Sequence, residues 1–329
     1  MLKIGGIVAA SAFAGLFLFV ATFGWKGIPA YRWPAMVYGP MQITEPFDDY
    51  MARPRRDAAL GWTQAMRADP FPGEPCASAF GDSFTYSDEV GADEAWPALL
   101  SQMIGCRVEN FGVPGYGSDQ AFMRFKTMAP RGKTVILAHL SENAMRNVNQ
   151  FRNLISPGTT EWWIKPRFLL SGELVPPVFE PGVRWLPEYF LPRDYFGRFT
   201  YAIAQAEKGN RPVHAEFYAA DHPSRALDVT FNIMRAFVAE AGARGQTPVI
   251  AFLPTCRDLT QGIAYGPLVD KIKAAGWRSF DFGAAMLKRL SGQRPETLFG
   301  TCGAHPNAAG YRMMAEIAAE YLKGNNLTH

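Results

Sequence analysis

Four short stretches of this chain hold the side chains that acyl transfer would need. "AFGDSFTYS", residues 79 to 87, sets Gly81-Asp82-Ser83 at the end of an apolar run. "NFGVPGYGSDQ", 110 to 120, carries Gly115; "LSENAMRN", 140 to 147, carries Asn143; "TCGAHPNAAGY", 301 to 311, carries His305. A serine hydroxyl is a weak nucleophile at its free pKa and needs a neighbouring base, most often histidine. Its attack on a carbonyl builds negative charge on oxygen, which calls for N–H donors already in place. The backbone N–H of Ser83, that of Gly115 and the side-chain amide of Asn143 would be three such donors, with His305 as the base. Taken singly, each residue also fits a plain turn or helix cap. Taken together and in this order, they form a chemical set.

The elements around them supply a reason for convergence. "CASAFG", "CRVENFG", "KTVILAHL", "TPVIAFLP" and "WRSFDF" read as strands, the third as the continuous apolar run of a strand buried on both faces. Helices are expected over "DEAWPALLSQMIG", with Asp93 as cap and Gly105 as stop, and over "SDQAFMRFKTMA". Further helices are expected from Ser224 to Ala243, near Gln261 to Ala275, and from Pro306 to Leu322 with proline in the first turn. Strands alternating with helices imply a three-layer α/β fold with a parallel sheet. Ser83, Gly115 and Asn143 each follow a strand and His305 precedes the last helix, so all four fall at the sheet edge where α/β folds place ligands. Between about 150 and 222 the alternation is interrupted by a stretch rich in proline and aromatics, including Trp162, Trp163, Trp185, Tyr189, Phe190, Tyr195 and Phe196. It is too long for an ordinary connection and reads as an insertion.

The ordered set resembles the SGNH (GDSL-type) hydrolase family, from about Cys76 to Leu322 apart from the insertion. The resemblance implies a flavodoxin-like sheet in the order 2-1-3-4-5 and esterase, lipase or acyl-transfer activity without a metal or cofactor. It implies Ser83 as nucleophile, Ser83, Gly115 and Asn143 as oxyanion hole, and His305 as general base. Phe84 stands where the family's name has leucine, and Asn143 lacks the usual flanking pattern. A larger departure is Cys302, three residues before His305, where the family usually has an aspartate to orient the imidazole. The sequence leaves two routes open: a Ser-His dyad, or an acid supplied from elsewhere in the chain. In the implied strand order, Cys76 and Cys106 begin neighbouring strands, while Cys256 and Cys302 share the site edge. Disulfides 76–106 and 256–302 are therefore expected, with Cys302 as a free thiol the alternative.

With 33 Lys+Arg against 30 Asp+Glu, the net charge of +3 and the lack of a basic cluster interleaved with aromatics exclude a nucleic-acid partner. The amino terminus is uncharged from Ile4 to Trp25, long enough to span a bilayer as a helix. No small-x-small site follows, which favours an uncleaved anchor over a cleaved signal. The organisation read from the sequence is an anchor or signal over 1–26, a linker and entry segment over 27–75, and the hydrolase domain over 76–329. The expected protein is an inner-membrane-anchored esterase facing the periplasm, cleaving an O-acyl ester, O-acetyl first, on a cell-surface glycan or lipid. Secretion after cleavage is the alternative location; an O-acyltransferase or an inactive glycan-binding protein is the alternative function.

Overall fold

In the computed structural model of the protein, the described residues are 52–148 except 69, 165–175, and 213–328 except 223. Five strands form one sheet: β1 (Pro75–Phe80), β2 (Arg107–Asn110), β3 (Thr134–Leu140), β4 (Thr247–Leu253) and β5 (Ser279–Asp281). All pair in parallel, in the order 2-1-3-4-5. This is the strand order that the family resemblance implied.

Side-chain alternation along the central strands explains why the sheet is covered on both faces. Phe80, Val135, Leu137, Ile250 and Phe252 point into one core with helices α3 (Ser118–Thr127), α5 (Ala226–Ala243) and α7 (Gly266–Ala274). Ala77, Ala79, Ile136, Ala138, Leu140, Val249, Ala251 and Leu253 point into the other, against α2 (Trp96–Ile104), α8 (Phe282–Leu290) and α9 (Ala308–Gly324). A strand with both faces buried needs apolar residues at nearly every position, which "VILAHL", His139 apart, and "VIAFL" supply. Three short helices stand at the carboxyl edge: α1 (Ser83–Tyr86), α4 (Asn143–Asn147) and α6 (Cys256–Gln261).

Local details depart from the sequence reading. Asp93 lies in a one-turn 3-10 segment, and the cap position of α2 falls to Ala95; Gly105 does stop the helix, with φ of 78°. The helix expected near 261–275 is Gly266–Ala274; α6, which was not anticipated, precedes it and ends where Gly262 takes φ of 108°. Helix α8 was not anticipated, and Asn307, not Pro306, opens α9 by accepting from Gly310 N–H. Both expected disulfides are present, Cys76–Cys106 and Cys256–Cys302, with Cα separations of 5.8 and 5.0 Å.

No helix among the described residues is long and apolar enough to cross a membrane; the Ile4–Trp25 run lies outside them. The seven aromatics singled out in the insertion lie outside them too. Residues 52–75, read as linker and entry segment, include a two-stranded hairpin (Arg56–Asp57 with Gly61–Trp62) that buries Leu60 and Trp62 in the core.

Candidate active site

The turn after β1 is shaped by three residues. A Cβ on Gly81 would sit 2.1 Å from Thr85 Oγ1 and 3.0 Å from the Ala138 carbonyl, so the close approach of this turn to β3 requires glycine. Asp82 caps α1, its Oδ1 accepting from Phe84 N–H at 3.0 Å. Ser83 is then the first residue of the helix. Its backbone N–H has no carbonyl one turn back to meet, as at any helix start.

The loop after β2 presses against this turn. Gly112 has no room for a side chain, since a Cβ would lie 2.3 Å from Tyr86 N. Gly115 adopts φ of 82°, the left-handed region that favours glycine. The hairpin of the entry segment fixes the loop on both sides: Trp62 Nε1 donates to the Pro114 carbonyl at 3.0 Å, and the Tyr116 hydroxyl donates to the Trp62 carbonyl at 2.7 Å. After β3, Asn143 opens α4 and is fully buried.

One guanidinium gathers these three loops. Arg146, on α4, is buried and uses a single nitrogen, Nη1, three ways. It donates to Asp82 Oδ2 at 3.1 Å, to the Tyr116 carbonyl at 3.0 Å and to Asn143 Oδ1 at 3.1 Å. Its Nη2 donates to Glu142 Oε2 at 2.5 Å. Because Arg146 can only donate, the atom it meets on Asn143 must be the oxygen, which leaves Nδ2 turned the other way. That Nδ2 finds no acceptor, although it lies near enough to Asp82 to favour the carboxylate's charged form slightly. Burial pushes the Asp82 carboxyl above its usual range and the Arg146 charge pulls it back. Among the described residues, the N–H groups of Ser83 and Gly115 also donate to no protein atom.

His305 reaches the same edge from the other side of the molecule. Its loop is tied to the end of β4 by the Cys256–Cys302 bridge and pinned by a bridge between Phe299 and Pro306. Its ring lies 5.2 Å from that of Phe84, the residue after Ser83. Phe84 is thus a wall of the histidine's site as well as a packing residue. The imidazole Nδ1 is 3.0 Å from Glu89 Oε1.

Glu89 and Arg146 are the two site residues that sequence reasoning missed. Cys302 does occupy the position of the usual acid, and the carboxylate that meets His305 comes instead from the loop after Ser83, six positions on. Nothing in the spacing links Glu89 to a histidine 216 residues away. The loop is held by Arg67, which donates to the carbonyls of Tyr86 (2.7 Å), Ser87 (2.8 Å) and Val90 (2.5 Å). Glu89 itself adopts φ of 72°, disfavoured for any residue with a Cβ. Next to it, the Asp88 carboxyl is raised by burial, with His305 and Arg67 opposing that rise.

The other histidine of interest, His139, is a satisfied core residue, as its place in an apolar strand implied. The Tyr218 hydroxyl donates to the Ser141 carbonyl at 2.6 Å, so its oxygen accepts from His139 Nε2–H at 2.8 Å. Nδ1 then accepts from the Ser118 hydroxyl at 2.7 Å. Burial holds the imidazole neutral, its pKa lowered to about 3. This chain of bonds ties α3 and the 3-10 turn Val213–Tyr218 to the end of β3 beneath Asn143.

No family model matches the chain, and no curated protein does. Among solved structures, it is similar to an acetylxylan esterase from Geobacillus stearothermophilus at 14% identity, covering 78% of this chain and 96% of that one, with a TM-score of 0.45. It is likewise similar to a member of the lipolytic protein G-D-S-L family from Veillonella parvula DSM 2008 (13% identity, 74% and 96% covered, TM-score 0.41). A third is an alpha/beta hydrolase enzyme from the metagenome of Lake Arreo, Spain (15% identity, 78% and 97% covered, TM-score 0.44).

Proposed function

We propose that the chain is a serine esterase of the SGNH type. Ser83 Oγ attacks an ester carbonyl while His305 Nε2 takes the hydroxyl proton, and the imidazolium that forms keeps its Nδ1–H on Glu89. The tetrahedral oxyanion accepts from Ser83 N–H, Gly115 N–H and Asn143 Nδ2. The C–O bond to the alcohol then breaks, and the alcohol leaves with the proton from His305. Water, deprotonated by His305, attacks the acyl-serine and releases the carboxylic acid and Ser83. Each piece is supported by position; the observation that carries the reading is that, among the described residues, the Ser83 and Gly115 N–H groups and Asn143 Nδ2 meet no acceptor, on the three loops that follow β1, β2 and β3. In a buried site an unmet donor is costly, and it is retained where charge develops during a reaction.

The substrate follows from coarser arguments. An O-acetyl or other O-acyl ester on a glycan or lipid suits an apolar amino-terminal run that anchors the chain, two disulfides that suit an oxidising space, and an aromatic-rich insertion. We place the catalytic domain on the periplasmic side. An inactive glycan-binding role was the reading for a histidine left without an acid, and Glu89 speaks against it. In the same active site, a sugar hydroxyl in place of water would give an O-acyltransferase.

The test is hydrolysis of p-nitrophenyl acetate by the full-length protein in detergent, beside Ser83→Ala, with labelling by a fluorophosphonate. Turnover and labelling that both vanish in Ser83→Ala are expected. Turnover that survives the substitution, or a wild-type protein that neither labels nor turns over, overturns the reading.

A further inference from the structure

We infer that Arg146 is a positioning residue for the oxyanion donors, a role that rests on the esterase reading above. The alternative is that it merely neutralises the buried Asp82. The two roles differ in what the guanidinium must reach. Neutralising Asp82 needs one positive charge near one carboxylate. Positioning needs a rigid planar donor that meets Asp82 Oδ2, the Tyr116 carbonyl and Asn143 Oδ1 from one nitrogen, with the second nitrogen anchored on Glu142. The geometry is of the second kind.

Each of those contacts acts on a different donor. Through Asp82, which also holds Phe84 N–H, Arg146 sets the start of α1 and therefore the direction of the Ser83 N–H. Through the Tyr116 carbonyl it holds the residue after Gly115. Through Oδ1 it decides which end of the Asn143 amide faces the site; a flipped amide would present an oxygen to a developing anion. Three donors on three separate loops are thus referred to one side chain. Oxyanion stabilisation depends on donors that need no reorganisation as charge develops, so loosening their common support should act on the transition state more than on the bound ester. Lysine cannot replace arginine here, because it has no second nitrogen to hold Glu142 while the first serves Asp82, Tyr116 and Asn143, and its stem is flexible.

The experiment compares p-nitrophenyl acetate kinetics and thermal unfolding of the full-length protein with those of Ser83→Ala, Arg146→Lys, Arg146→Met and the double variant Asp82→Asn/Arg146→Met. In the double variant the buried charge pair is gone and the Asn side chain can still cap α1. We expect kcat in Arg146→Lys to fall roughly 10- to 100-fold with KM changed less than about threefold. The double variant should recover thermal stability relative to Arg146→Met alone without recovering kcat. If the double variant regains wild-type kcat, or if Arg146→Lys loses less than about threefold, Arg146 only balances a charge and the inference is overturned. If Ser83→Ala is as active as wild type, the esterase reading itself falls, which the Arg146 variants alone would not reveal.

Discussion

The two halves of the candidate site are built on opposite physical terms. On the donor side, Arg146 and Asp82 have side chains 5% and 0% exposed, and only the Glu142 end of the network reaches solvent. On the base side, His305 and Glu89 are 26% and 55% exposed, and one carboxylate contact, one ring contact, the Phe299–Pro306 bridge and a disulfide hold the histidine and its loop. A buried pair is strongly coupled because low dielectric magnifies every contact, and removing one partner strands the other. An exposed pair is screened by water and salt and contributes little to stability. The loops of Ser83, Gly115 and Asn143 are therefore held by buried contacts, while His305 stands in contact with solvent.

That contrast can be broken most directly by substitution on each side. Asn143→Ala removes one oxyanion donor and should lower kcat by about 10²- to 10³-fold, read from ester hydrolysis with KM little changed. Glu89→Gln, on the exposed side, should cost about tenfold, because solvent can partly replace the carboxylate in steadying the imidazole. Equal losses from the two would erase the distinction between the sides.

A finer test uses the backbone at Glu89, whose φ of 72° costs a residue with a Cβ about 1 kcal/mol or more. Glu89→Gly relieves that strain and removes only an exposed ion pair. It should leave thermal stability equal or raised by up to about 1 kcal/mol while lowering kcat at least as far as Glu89→Gln. A clear loss of stability would mean that Glu89 serves the fold before the histidine.

A further test concerns the buried side and pH. His139 is neutral in the fold with a pKa near 3, against an ordinary 6.5, so the unfolded chain binds its proton more readily. Its contribution to stability is present above pH 6.5 and is lost as pH falls from there towards about 3. The slope from this one group is at most about 1.4 kcal/mol per pH unit. His139→Gln, which can keep one donor and one acceptor, should flatten the slope of chemical-denaturation stability over that window. An unchanged slope would show that other groups dominate it.

Much of the molecule was legible before its structure. Strands β3 and β4 announced themselves because burial on both faces demands nearly unbroken apolar runs, while β2 and β5 showed only through the alternation of strands with helices. Ser83, Gly115 and Asn143 stood out because each lies in a polar or glycine-rich stretch just beyond a strand. Helices α6 and α8 were missed because a short amphipathic helix carries a weak periodic signal. The acid was not legible at all, because the position where it was sought holds Cys302.

What the amino-acid order determined alone is therefore the set of groups and the scaffold edge to which they belong. Backbone conformation within a few residues is governed by local sterics and by the periodicity of burial, and both can be read along the chain. The tertiary structure alone decided how those groups are oriented. That Glu89 meets His305 across 216 residues, that Arg146 meets three loops with one nitrogen, and that Arg67 and Trp62 of the entry segment brace those loops are facts of chain crossing. Such contacts depend on where distant segments come to rest, and no local periodicity encodes them.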